Sequence, residues 1–330
     1  MRKQTGVALR KGLRRQGAGV IGGLTPALVV SRSVARMGRS YDTISFLTDF
    51  GTVDEFVGVV KSVIRDIAGH VTVIDLTHEI PPFDVRAGSL ALARSISYVP
   101  SGVVLAVVDP GVGTDRRCVA IEVADGDGVL VGPDNGLLAP AVAMAGGAGR
   151  SVVLSNAEFQ LVAPGATFAG RDIMGPAAAH LCNGVDLYEL GEPIDPALLL
   201  PGTVPLPRNE NGTLVGEVLW IDRFGNCQLN VGPDDIAELG DDVRVTVGEL
   251  SGAAIIRVAR RCANFQQLGV GTLGLLTDSY GMIALCLERR SAAEELQIGP
   301  SDQVVLEAVG DDNPEYSAAV ASPVNLRIRR

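Results

Sequence analysis

Three aspartates close or nearly close apolar runs: Asp49 in TISFLTDF, Asp75 in VTVIDLT and Asp109 in GVVLAVVD. Glycines follow two of them within a few residues, Gly51 after Asp49 and Gly111 and Gly113 after Asp109. Such turns leave backbone room for a ligand beside a carboxylate. An ionised carboxylate only accepts hydrogen bonds. It can therefore hold a pair of sugar hydroxyls, or orient a water and take its proton. Asp109 opens the stretch DPGVGTDRR, whose two arginines are Arg116 and Arg117. A guanidinium close to Asp109 would keep it ionised and steady its geometry. The stretch is a poor phosphate loop. It lacks the third glycine of the dinucleotide fingerprint and the Gly-Lys-Ser/Thr of a P-loop. The segment after it reads as a strand, so no helix N-terminus awaits an anion. Asp75 is open to two readings, a site residue or a structural cap.

These residues must be positioned by regular elements. The runs 43–50, 71–77 and 102–109 read as buried-type strands. Between them, Phe56, Val60, Val63, Ile64 and Ile67 share one helical face, and 84–99 also has helical periodicity. Strand and helix alternation implies a mostly parallel sheet flanked by helices, an α/β fold. In such sheets ligands gather outside the carboxyl ends of the strands, where the aspartates fall. RCVAIEV and GVLVGP predict an antiparallel pair, 136–145 and 170–181 predict helices, and SVVLSN predicts a further strand.

The expected domains are 43–202, a linker at 203–212 marked by PGTVPLPRNENG, and 213–330. The last part is rich in short strands and reads as a small β-barrel or sandwich. Residues 1–42 form a basic N-terminal extension. They read as a disordered tail or an over-long start upstream of Met37, with a targeting segment as the alternative. Its apolar patch, Val20–Val30, is too short to span a bilayer, so no membrane partner is expected. Removing the nine basic residues of 1–40 leaves 19 basic and 38 acidic, a net −19. So acidic a body repels phosphate, which argues against a nucleic-acid partner. The five cysteines form no C-x-x-C and only three histidines are present, so no metal site is expected. Separate buried thiols in a reducing, cytoplasmic setting are the expectation.

The segments SFLTDFG, DLTHEIPPFD, VVDPGVGTDRR, GPDNGLL, TFAGRD and IDRFGNCQLN occur in one order along residues 45–230. In that order they resemble the S-adenosyl-L-methionine hydroxide adenosyltransferases, hydrolase relatives of the fluorinase and chlorinase enzymes. The resemblance covers about residues 43–310. It implies an α/β domain followed by a β-barrel, and a homotrimer with sites between subunits. The implied reaction is attack of water on C5′ of S-adenosyl-L-methionine, giving adenosine and L-methionine with no cofactor. It also implies residue roles. Asp49 would grip the ribose diol, and Phe83 would lie near the ribose and reacting carbon, with ordinary core as its alternative. Phe224 and Asn226 would take the adenine, and Asp222 and Ser279 the methionine ends. Tyr280 stands where the fluorinase carries an arginine. Gly170 falls at a position shared by hydrolases and chlorinase.

Asp109 and Arg116 match two members of the hydrolase Asp-Arg-His triad, with Arg117 as the alternative register. The third member is absent: Ala169 occupies the histidine's place in TFAGRD. His78 and His180 read as structural. The reading is an S-adenosyl-L-methionine hydrolase. A catalytically degenerate adenosine or S-adenosyl-L-methionine binder stays open beside it, as does a halide-using adenosyltransferase. Against the last, a buried Asp109 would repel a halide.

Overall fold

The computed structural model describes residues 38–210, 213–248 and 254–309. Most of the expected basic extension lies outside the described residues, as does 310–330 of the expected barrel domain. The end of that extension belongs to the folded body. Tyr41 is buried, and its hydroxyl donates to the Gly126 carbonyl at 2.9 Å.

The first sheet has seven strands in the order β2-β1-β3-β5-β4-β6-β7. These are β1 (Thr43–Thr48), β2 (Thr72–Thr77), β3 (Gly102–Val107), β4 (Cys118–Val123), β5 (Gly128–Pro133), β6 (Ser151–Val153) and β7 (Glu192–Pro193). β2, β1, β3 and β5 are parallel, and β4 runs against β5. Two helices per face cover it: α1 (Phe56–Ile67) and α4 (Gly175–Cys182) on one core, α2 (Val85–Ile96) and α3 (Ala139–Met144) on the other. β3 is buried throughout, as its unbroken apolar run requires. β2 corrects the expectation of a buried strand. It is the sheet edge, and its residues are half-buried or exposed. An apolar run marks strand propensity, but sheet order decides burial.

The expected helix 170–181 is also divided. Gly170–Met174 is one wide π-type turn, and α4 starts at Gly175. An added Cβ on Gly175 would come within 2.8 Å of the Gly170 carbonyl, so glycine permits the widened turn.

The second sheet contains β8 (Arg208–Glu210), β9 (Thr213–Ile221), β10 (Cys227–Leu229), β11 (Asp242–Val247), β12 (Ile255–Arg261), β13 (Leu273–Thr277), β14 (Ile283–Cys286) and β15 (Gln303–Ala308). Pairing of β10 with β9 closes seven of these into a barrel, which resolves the barrel-or-sandwich alternative. β8 falls inside the expected linker and extends the free edge of β9. Leu214, Val218, Leu229, Val245, Leu285 and Leu306 fill the barrel. α2 meets it directly: Arg86 pairs with Glu217 at 2.6 Å.

Candidate active site

β1 lies between β2 and β3, so the chain leaves β1 on one side and later returns on the other. The crevice between β1 and β3 is therefore a topological switch point. Asp49 and Asp109 both follow it. The Asp49 charge raises the Asp109 pKa, which places the two carboxylates within electrostatic reach. Asp75, on the outer strand, is engaged by neighbouring side chains. It binds Lys61 Nζ at 2.9 Å and faces His78 Nε2 at 3.1 Å. Burial raises its pKa, but these donors prevail and hold it below the ordinary carboxylate value. His78 Nδ1 also meets Thr48 Oγ1 at 2.9 Å, bracing the end of β1.

Arg116 donates from Nη2 to Asp109 Oδ2. Both side chains are sequestered, 11% and 5% exposed. Arg117 points away and pairs with Asp134, as alternation along an extended segment demands. Of the two arginines, Arg116 is the one that meets Asp109. Further donations from Arg116 Nη1 to the Arg117 carbonyl at 2.8 Å and to Cys118 Sγ at 3.1 Å lock the guanidinium. Gly113, at φ 80°, supplies the left-handed turn that folds the loop back. Burial pushes the Asp109 carboxyl above its ordinary range, while Arg116 and the Gly111 amide pull it down. The expectation that Arg116 simply keeps Asp109 acidic is thus corrected: desolvation outweighs the ion pair, and the carboxylate is made more basic. Asp109 Oδ1 is buried and makes no hydrogen bond of good geometry among the described residues.

Asp49 Oδ2 accepts from the Phe83 amide at 2.9 Å. Phe83 has φ 69° and is 73% exposed, which removes the reading of it as ordinary core. The exposed ring is thus carried on a backbone conformation, tied to Asp49 through the Phe83 amide, that costs a non-glycine residue on the order of 1 kcal/mol or more. Ala169 is 6% exposed and packs in the core beside Phe50 and Phe168. Gly170 is buried beneath the same rings, and an added Cβ would stand 3.2 Å from Phe50. It makes space for aromatic packing rather than facing a cavity. His180 packs against the Phe159 ring, 5.0 Å between centroids, and burial lowers its pKa.

The remaining predicted residues gather on the barrel. Asp222 accepts from the Phe224 amide, the Asn226 amide and Asn226 Nδ2 at 2.7–2.9 Å. It is first a turn-former. That turn presents Phe224, 78% exposed, and leaves Asn226 Oδ1 without a partner among the described residues. Phe224 and Asn226 line a cavity of about 620 Å³ with Phe265 and the segment 287–291. Asp222, Asn226, Ser279 and Tyr280 line a neighbouring cavity of about 390 Å³ with Trp220 and Asp278. Neither cavity is lined by Asp49, Phe83, Asp109 or Gly170. The structure thus forms two groups of predicted residues, one beyond the carboxyl ends of the inner strands β1 and β3 and one on the barrel. Phe265, Trp220 and Arg94 were missed by motif reading, because they join the barrel group only through tertiary packing. Trp220, the chain's sole tryptophan, was the one available signal.

Among the described residues no group of His, Cys, Asp and Glu is arranged to hold a metal. No helix there is long and apolar enough to cross a membrane. All five cysteines are free thiols and four are buried.

The model of the SAM hydroxide adenosyltransferase N-terminal domain matches residues 44–191, and that of the C-terminal domain matches 216–305. An (R)-S-adenosyl-L-methionine hydrolase of Salinispora tropica is 41% identical over 261 residues, covering 79% of this chain and 96% of its own. A protein of the same name from Thermus thermophilus is 38% identical, covering 77% and 94%. The crystal structure of an uncharacterized conserved protein from Thermotoga maritima matches with a TM-score of 0.72 at 34% identity, covering 80% of this chain and 99% of that one. With both domain models matched in order and relatives alike along most of their length, the chain belongs to the SAM hydroxide adenosyltransferase family.

Proposed function

We propose that this protein hydrolyses S-adenosyl-L-methionine to adenosine and L-methionine by attack of an oriented water at C5′. The observation that carries the reading is Asp109. One carboxylate oxygen is held by Arg116, the other is buried without a good protein donor, and burial makes the group more basic. A water donating to Oδ1 gives up a proton as its oxygen bonds to C5′. The C5′–S bond breaks, and its electron pair stays on sulfur as neutral methionine leaves. The sulfonium is already activated, so the protein's part is to align the water, accept the proton and exclude bulk solvent. No cofactor enters this scheme. Asp49 accepts the ribose hydroxyls, Phe83 covers the ribose, Phe224 stacks on adenine and Asn226 hydrogen-bonds its edge. Ser279, Tyr280 and Asp222 receive the amino-acid end, and Gly170 gives room behind the aromatic wall. The separation of sheet and barrel groups supports a homotrimer in which each site joins two chains. The free thiols support a cytoplasmic setting, and the acidic body argues against nucleic acid.

The names of the relatives point to the (R) sulfonium epimer as the preferred substrate. Incubating the purified protein with each epimer and separating products by chromatography tests the reading. Adenosine and methionine in equal amounts are expected. Folded protein that makes no adenosine above the uncatalysed background sinks it. Ala169 favours one rival, a binder without turnover, and calorimetric binding with no adenosine would establish that instead.

A further inference from the structure

Arg94 lies in the last turn of α2. Its guanidinium carbon sits 4.2 Å from the Trp220 ring centroid and 5.8 Å from that of Tyr280. It makes no hydrogen bond or ion pair among the described residues. The nearest acid that influences it, Asp278, is committed elsewhere. Asp278 Oδ1 accepts from the Tyr280 and Met282 amides at 2.8 and 3.0 Å, and Oδ2 accepts from Gln228 Nε2 at 2.5 Å. Arg94 is therefore a half-buried cation within cation–π distance of two aromatic rings, with its donors unspent among the described residues. Burial lowers its pKa, while Tyr280 and Asp278 oppose that shift. It lines a cavity of about 510 Å³ together with Ser279 and Tyr280, whose other side faces the cavity of Asp222 and Asn226. The Ser279 hydroxyl also has no partner among the described residues. A planar fork of N–H donors beside a free hydroxyl is suited to a carboxylate.

We propose that Arg94 is the specificity residue that binds the carboxylate of the substrate's amino-acid end, with Ser279 as its partner donor. This rests on the reading of the barrel cavity as the amino-acid end of the site. It explains how a site with tyrosine at position 280 can still select an amino acid: the cation comes from α2 instead, set over the Trp220 ring and near that of Tyr280.

The test is equilibrium binding by calorimetry, using S-adenosyl-L-homocysteine, which has the carboxylate, and its decarboxylated analogue S-adenosyl-3-thiopropylamine. Loss of a charge-assisted pair should weaken binding of the first by about tenfold to a hundredfold in Arg94→Ala. Binding of the decarboxylated analogue should stay within about twofold of wild type, and Arg94→Lys should recover part of the loss. A general structural role would weaken both ligands alike. Equal loss, no loss, or wild-type protein that does not prefer the carboxylate-bearing ligand overturns the proposal. Selective Arg94-dependent binding in a protein that makes no adenosine would sink the hydrolase reading and leave this one standing.

Discussion

At the scale of single residues, the proposed chemistry rests on Asp109. Asp109→Asn keeps the shape and removes the basic oxygen, so adenosine formation should fall by about 10²–10⁴ with the circular dichroism spectrum unchanged. The pH dependence has a definite sign. A base must be deprotonated to accept, and burial raises the Asp109 pKa. kcat/KM should therefore be full above that raised value and decline as pH falls through it. Arg116 opposes the rise, so Arg116→Met should move the acid limb to higher pH. A limb that stays in place would remove Asp109 as the base. Phe83 shows the opposite balance of stability and use. Its φ of 69° suits glycine, so Phe83→Gly should stabilise the fold by roughly 0.5–1 kcal/mol in urea melts while raising KM for the nucleoside substrate. The sequence made Asp49 and Asp109 legible as candidates because glycine turns and strand ends have local signatures. It left Phe83 undecided because a single aromatic reads alike as core or as a displayed ring.

At the scale of elements, α2 links the two groups of candidate residues within one chain. Its N-cap Asp84 accepts from the Ala87 amide at 2.8 Å, directly after Phe83. Its middle packs on the sheet through Gly88, and its last turn carries Arg94. An added Cβ at Gly88 would lie 2.9 Å from both Leu137 and Val108 side-chain carbons. Two effects compete in Gly88→Ala. Helix propensity favours alanine by about 1 kcal/mol, whereas overpacking costs about 1–3 kcal/mol. The contact is with two buried side chains on the sheet side, so the loss should win and the urea midpoint should fall. A rise in midpoint would show that α2 can lift away freely. Element identity was readable here from periodicity, but burial was not. β2 and β3 look alike as apolar runs, and only their places in the sheet make one an edge and the other a centre.

At the scale of the whole molecule, each chain carries a strand-end group and a barrel group that line no common cavity described above. If each site joins two chains, inactive variants of the two groups should complement one another. Asp109→Asn and Asn226→Ala, co-expressed so that mixed assemblies form, should recover about a quarter of wild-type activity, since that share of random interfaces pairs two intact halves. Sites complete within one chain would recover none. Chromatography of the mixed species against each variant alone provides the control.

By itself, the sequence determined the alternation of strand and helix, the strand-rich second half, the aspartates at strand ends and the order of family motifs. All of these depend on neighbours a few residues apart. Only the tertiary structure decided that β10 closes a barrel, that Arg116 rather than Arg117 meets Asp109, that Asp75 binds Lys61 and faces His78, and that Arg94 sits over the Trp220 ring. Each of these joins residues through packing, and free energies of burial and charge pairing depend on which surfaces meet. That is why Asp109 could be named as a candidate base from its surroundings in sequence, while the direction of its pKa shift required knowing how deeply it is buried.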